Sequence, residues 1–211
     1  MEYGIFRQLQ IQAKAISLIR LLLGDDPSAV TTERVLRSIV VDFPKIDALL
    51  LSAAQQRKSR AGYSFEHHIE AMLIDGAVPF EKQVVIKAKK RPDFILPSFK
   101  LYDDAARGRG EALVLSAKTT LRERWKQVGQ EINNCDLFLA TVDENIASNA
   151  IEDMAEQGIR LVVPESLKDS DITEYKGQPS VLSFKEFFET HIAGSCWPLW
   201  VTRGLVSRRQ R

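Results

Sequence analysis

Ala112-Leu113-Val114-Leu115-Ser116-Ala117-Lys118-Thr119-Thr120-Leu121-Arg122-Glu123-Arg124-Trp125 is the stretch whose reading decides the fold of this chain. Its first four residues are apolar without alternation, the pattern of a strand buried on both faces and therefore central in its sheet. The run stops at Ser116-Ala117-Lys118. From Leu121 the period changes, and Leu121, Trp125, Val128 and Ile132 fall on one stripe of a helix over residues 121–133. The strand thus ends on a lysine and hands over to a charged helix.

Working outward, Gln83-Val84-Val85-Ile86 and Phe94-Ile95-Leu96 read as strands before it. Leu137-Phe138-Leu139-Ala140-Thr141-Val142 and Arg160-Leu161-Val162-Val163 read as strands after it, with a helix over 144–157 between them. A short strand over 180–184 follows Gly177-Gln178-Pro179, and a helix passes through Phe187-Phe188. Strands alternating with helices predict an α/β core, a central mixed sheet flanked by helices. Upstream the pattern is helical: one or two helices over 5–23 ending at Gly24, another starting at Thr31-Thr32-Glu33, and a third over 44–56. The basic run Arg57-Lys58-Ser59-Arg60, closed by Ala61-Gly62, punctuates the chain, and Ser64 then caps a helix with Phe65, Ile69, Met72 and Leu73 inward. The expected organisation is an N-terminal helical region over 1–56, suited to dimerisation or accessory contacts, a catalytic domain over 57–192 and a basic tail over 193–211.

Composition narrows the class. With 211 residues, 45% hydrophobic and 27% charged, the chain is neither disordered nor fibrous. A domain of this size buries about 70% of its unfolded surface and needs no disulfide or structural metal. Cys135 and Cys196 lie far apart without a CxxC pair, which excludes the usual zinc spacing and suits a reducing cytosol. No apolar run reaches the roughly 20 residues of a membrane span. The segment Ala15-Ile16-Ser17-Leu18-Ile19-Arg20 is broken by its arginine, so no targeting peptide is expected and a cytoplasmic location is. Twenty-nine basic against 28 acidic residues give a net charge of +1, so partners must be judged from where charge sits.

Arg91-Pro92-Asp93-Phe94 places an acid where an apolar strand begins, and Lys118 stands where the central strand ends. Two strand ends can present Asp93 and Lys118 to one point. A carboxylate there can ligate Mg²⁺, which takes one or two carboxylates plus phosphate and water. The lysine can hold a phosphate oxygen or orient and deprotonate an attacking water, and together they suit hydrolysis of a phosphodiester. The nuclease arrangement with an acid two residues before the lysine is broken by Ser116. Glu131, on the following helix, or Glu66, on the earlier one, can supply the missing charge, and the sequence leaves open which is the main ligand. Singly, each has a plainer reading: Pro-Asp as a turn, a strand-end lysine reaching solvent, two helix-surface acids.

What makes the set specific is Lys118-Thr119-Thr120-Leu121-Arg122-Glu123-Arg124-Trp125-Lys126-Gln127-Val128, which strongly resembles the type II restriction endonucleases of the EcoRII C-terminal catalytic domain family, a PD-(D/E)xK nuclease family. Arg60-Ala61-Gly62 with Glu66, Pro92-Asp93-Phe94, Leu161-Val162-Val163-Pro164 and Val181-Leu182-Ser183-Phe184 match it too, so the likeness covers about residues 57–190. The resemblance implies that Lys118 is catalytic, that the second acid is displaced to Glu131, and that Asp93 and Glu66 join them around Mg²⁺. It also implies double-stranded DNA as substrate, a CC:GG-containing palindrome of CCNGG or CCWGG type cut with a 5′ stagger, and central bases flipped in some relatives. A homodimer and a cognate cytosine methyltransferase are the implied partners. Longer members carry an effector domain first, and the length here predicts the stand-alone form. Arg122, Glu123 and Arg124 suit base readout on physical grounds, because an arginine fork matches guanine O6 and N7 and a carboxylate accepts from cytosine N4. Arg57, Lys58, Arg60, Lys89, Lys90 and Arg91 flank the acids as candidate contacts to the DNA backbone. His67, His68 and His191 lack partners for nucleophilic or zinc chemistry and read as surface or packing residues.

Overall fold

A computed structural model describes residues 2–24, 30–86, 91–121, 125 and 134–207, with side chains from residue 8 onward. The chain divides into two compact units, Met1–Ser64 and Phe65–Arg211. Among the described residues no helix is long and apolar enough to cross a membrane.

The first unit is helical, as the sequence predicts: α1 (Glu2–Leu23), α2 (Thr32–Val41) and the first part of α3 (Phe43–Asp75). Helix α1 stops where Gly24 adopts a φ of +72° and donates its N–H to Arg20 O at 2.9 Å, a left-handed stop that costs glycine little. Thr31 caps α2, its hydroxyl accepting from the Arg34 N–H at 3.2 Å. Inside the unit the buried Gln10 amide donates to Ala53 O and to Gln56 Oε1, each at 3.2 Å, and accepts from Arg57 Nη1 at 3.4 Å. That polar staple ties α1 to α3.

Here the structure corrects the sequence reading. The helix does not break at 57–62, and Ser64 lies inside it and not at its start: α3 runs unbroken for 33 residues. Arginine, lysine and alanine are good helix formers, and the one glycine costs about 1 kcal/mol, less than ending one helix and nucleating another.

The second unit is built on six strands in the order β1 (Glu81–Lys82), β2 (Phe94–Leu96), β3 (Leu113–Lys118), β4 (Asp136–Thr141), β5 (Ile159–Val163) and β6 (Val181–Ser183). The first three pair antiparallel and the rest parallel, giving a mixed sheet with β3 inside it. Alternate residues feed two apolar layers. Ile95, Val114, Leu137, Leu139 and Leu161 face Leu121, Trp125, Ile151, Met154 and Tyr175. Phe94, Leu115, Phe138, Ala140 and Val162 face Ile69 and Leu73 of α3 together with Phe187, Ile192 and Trp200. Burial on both sides is why β3 reads as a continuous apolar run, each large side chain contributing about 1.5–3 kcal/mol.

Three boundaries move. The strand expected over 83–86 lies instead at Glu81–Lys82, because Gln83 takes a φ of +53° and turns the chain out of the sheet. The helix expected from 144 begins at Ser148, since Asp143 first closes a turn onto the Asn145 N–H at 3.1 Å. The last strand ends at Ser183, which opens a helix through a capping box: Glu186 N–H to Ser183 Oγ at 3.1 Å and Ser183 N–H to Glu186 Oε2 at 2.8 Å. That helix continues with wider i→i+5 turns over Phe187–Cys196 and then Trp197–Thr202, where Trp200 is wholly buried and donates from Nε1 to Glu111 O at 2.8 Å. The first part of the expected tail is therefore packing structure. Both cysteines are free and buried, and burial pushes the Cys196 thiol up to about 12, leaving it protonated and inert.

Candidate active site

Asp93 precedes β2 by one residue. Phe94 pairs with Leu115 in one layer, and Ser116 and Lys118 alternate with Leu115 along β3. Two donors from the end of β3 converge on one oxygen: the Ala117 N–H reaches Asp93 Oδ2 at 2.7 Å and Lys118 Nζ reaches it at 2.8 Å. The strand ends inferred from the sequence do meet. Ser116 occupies the place where an acid would complete the more familiar set, and it is buried.

Glu66 comes from α3, in the part of the helix that belongs to the second unit. Its carboxyl is raised above the ordinary carboxylate range by burial and by the charge of Asp93. Lys118, Lys82 and a hydrogen bond with the Gln83 side chain pull the other way. Glu66, Asp93 and Lys118 therefore form one electrostatic cluster, brought together from a helix and two strand ends.

Two supporting groups escape a reading by motif. Lys82 donates to Glu70 Oε2 at 2.8 Å, and Glu70 is one helical turn beyond Glu66. Gln83 donates its N–H to Asp93 O at 3.1 Å from its left-handed backbone, so the same residue touches the main chain of one acid and the side chain of the other. The signal available for the first was the i,i+4 spacing of Glu66 and Glu70. A glutamine at positive φ leaves no such signal.

Glu131, Arg122, Glu123, Arg124, Lys89 and Lys90 lie outside the described residues. Arg91 is exposed two residues before Asp93. Arg57, Lys58 and Arg60 sit on the part of α3 within the first unit, where Arg57 bonds Gln10. His67 pairs with Glu70 at the surface at 3.2 Å, while His191 packs against Phe138 and Phe187, and burial lowers its pKa. Among the described residues no three His, Cys, Asp or Glu side chains gather as a metal cluster. Two carboxylates beside a lysine nevertheless form an all-oxygen donor set, which fits a hard divalent cation such as Mg²⁺ and not a thiolate- or imidazole-seeking metal.

Residues 28–188 match the family model described as EcoRII C terminal, a match that takes in part of the N-terminal helical region. Over 138 residues the chain is 37% identical to the type II restriction enzyme EcoRII of Escherichia coli, spanning 63% of this chain and 34% of that one. Over 167 residues it is 29% identical to the type II restriction enzyme SsoII of Shigella sonnei, spanning 74% of this chain and 53% of the relative. The chain thus spans about a third and about half of the lengths of these two curated relatives. Among solved structures, metal-depleted Ecl18kI in complex with uncleaved, modified DNA superposes with a TM-score of 0.77 at 26% identity, covering 99% of this chain and 69% of the other.

Proposed function

This chain belongs to the EcoRII C-terminal family, with a PD-(D/E)xK nuclease fold, and on that premise we propose that it is a type II restriction endonuclease. It hydrolyses double-stranded DNA with Mg²⁺ at a short CC:GG palindrome of CCNGG or CCWGG type, leaving 5′-staggered ends. The observation that carries the reading is the pairing of Lys118 Nζ with Asp93 Oδ2 at 2.8 Å, with Glu66 beside them, in a chain of this family.

Asp93 would hold the cation together with Glu66 and Glu131, either of which can be the main second ligand. When bound, it supplies neutralisation of phosphate charge and a more acidic water. Lys118 holds a phosphate oxygen and orients the attacking water, and its ion pair with Asp93 keeps its amine aimed at the strand end. Arg122, Glu123 and Arg124 read the base edges, and Arg57, Lys58, Arg60, Lys89, Lys90 and Arg91 contact the backbone. In this reading 57–192 is the catalytic domain, and 1–56 serves dimerisation or accessory DNA contacts. A palindrome cut on both strands calls for two active sites. Exposed apolar side chains in the first unit favour a homodimer: Leu36 and Val40, one turn apart on α2, are 59% and 76% exposed among the described residues. The enzyme works in the cytoplasm beside a cytosine methyltransferase that protects the host's own sites.

The test is digestion of unmethylated phage DNA by the purified protein with Mg²⁺, with Asp93→Ala as control, followed by sequencing of the fragment ends. Discrete fragments ending in CC…GG sequences are expected. A smear absent from the control would retain the nuclease and remove the specificity; no cleavage under several divalent metals would leave a DNA-binding module.

A further inference from the structure

We propose that Asp143 is a positioning residue for sequence readout: it fixes the start of the base-reading segment to the catalytic core and so sets discrimination without touching DNA. This rests on the reading of Arg122-Glu123-Arg124 given above.

Asp143 lies two residues beyond β4, is buried, and uses both carboxylate oxygens. Oδ2 accepts the Leu121 N–H at 2.9 Å, 22 residues away in sequence, and Oδ1 accepts the Asn145 N–H at 3.1 Å. Its own N–H donates to Thr141 Oγ1 at 3.1 Å, and its carbonyl accepts from the buried Tyr175 hydroxyl. Thr141 is in turn the register partner of Lys118 across β3 and β4. Leu121, three residues past the catalytic lysine, is thus tied to the same strand ends that hold the reactive groups.

Burying a carboxylate is costly unless its oxygens are satisfied, and a turn alone would not require one. Ser closes the local bond to the i+2 N–H equally well. What the longer carboxylate adds is a second acceptor oxygen that reaches Leu121, the residue directly before Arg122. On the other side of the triplet, Trp125 is buried in the same apolar layer as Leu121, at 4% and 0% exposure. Bidentate readout needs a fixed start to the reading segment, since an arginine fork placed an ångström off loses the geometry that distinguishes one base from another.

The test compares Asp143→Ser, which keeps the turn but is too short for Leu121, with Asp143→Asn, which keeps an acceptor oxygen for it. Dissociation constants are measured without divalent metal for a duplex carrying CCAGG and for one with an outer G:C pair replaced by A:T. Asp143→Ser is expected to lower the ratio of the two constants by about tenfold or more. Affinity for the substituted duplex should stay within about twofold, because phosphate contacts are untouched. Asp143→Asn is expected to restore part of the ratio, because its single carbonyl oxygen can still accept from Leu121 when its NH₂ is turned toward the Asn145 N–H, and a general loss of stability would allow no such recovery. A wild-type ratio in Asp143→Ser, or an equal loss on both duplexes, overturns the proposal, while a lost ratio in Arg122→Ala would leave the triplet reading standing. If Arg122→Ala and Arg124→Ala both keep the ratio, the triplet reading fails and this proposal with it. Where Asp143→Ser does not fold, Thr141→Val removes the acceptor of the Asp143 N–H with little change of shape: a smaller loss of ratio supports the proposal, and a wild-type ratio overturns it.

Discussion

Asp93 Oδ2 is claimed twice from β3, once by a main-chain N–H that any residue but proline at 117 would provide and once by Lys118 itself. Because the N–H bond survives loss of the lysine, Lys118→Ala should leave the acid in place and remove only the chemistry. Single-turnover cleavage is expected to fall by about 10²–10⁴-fold in Lys118→Ala and in Asp93→Ala, with cognate binding measured by filter retention nearly unchanged. Glu66 behaves differently. Its carboxyl is raised by burial and by Asp93, so the folded protein holds that proton more tightly than the unfolded chain does. The ionised form therefore costs stability as pH rises through the ordinary carboxylate range and beyond it. Glu66→Gln should raise the melting temperature of the metal-free protein at pH 7, have little effect below pH 4, and lower cleavage, a trade of stability against function seen by calorimetry and rate together.

At the scale of elements, α3 shows why a motif can be legible while its setting is not. Arg60-Ala61-Gly62 and Glu66 were readable as a family signature, yet the helix that carries them ran through the expected break, because helix continuity depends on what flanks a glycine and not on the glycine alone. A methyl group added at Gly62 would meet nothing within 4 Å. Gly62→Ala should therefore stabilise the protein by about 0.5–1 kcal/mol in denaturant titration, with activity unchanged. The edge of the sheet failed to read for a related reason. Gln83-Val84-Val85-Ile86 has strand composition, but its first residue is held at positive φ while its N–H bonds the Asp93 carbonyl, an arrangement set by a neighbour outside the segment. The central strand β3 read correctly because its signal, apolar on both faces, is carried wholly within it.

For the molecule as a whole, remote ion pairs set the response to acid. Glu111, just before β3, accepts from Arg203 Nη2 at 2.6 Å, and Glu186 accepts from Lys168; both carboxyls are lowered, chiefly by those bonds. Lowered folded-state values give stability that is present above the ordinary carboxylate range and lost as pH falls through the folded ones. Melting temperatures should therefore drop below about pH 4.5, and the drop should be shallower in Glu111→Gln, which has already lost its pair. Leu36 and Val40, exposed on α2, predict a dimer in sedimentation experiments, and Leu36→Asp with Val40→Asp should make it monomeric. The sequence by itself determined what neighbouring residues encode: the central strands from their apolar runs, the placement of Asp93 and Lys118 at strand ends, and the family through the segment that follows Lys118. Only the tertiary structure decided that Asp93, Glu66 and Lys118 share one electrostatic environment, that Gln83 spans two of the acids, and that Asp143 holds Leu121. Those relations join residues far apart in the chain, and hydrogen bonding and burial between distant segments leave no periodicity in either one.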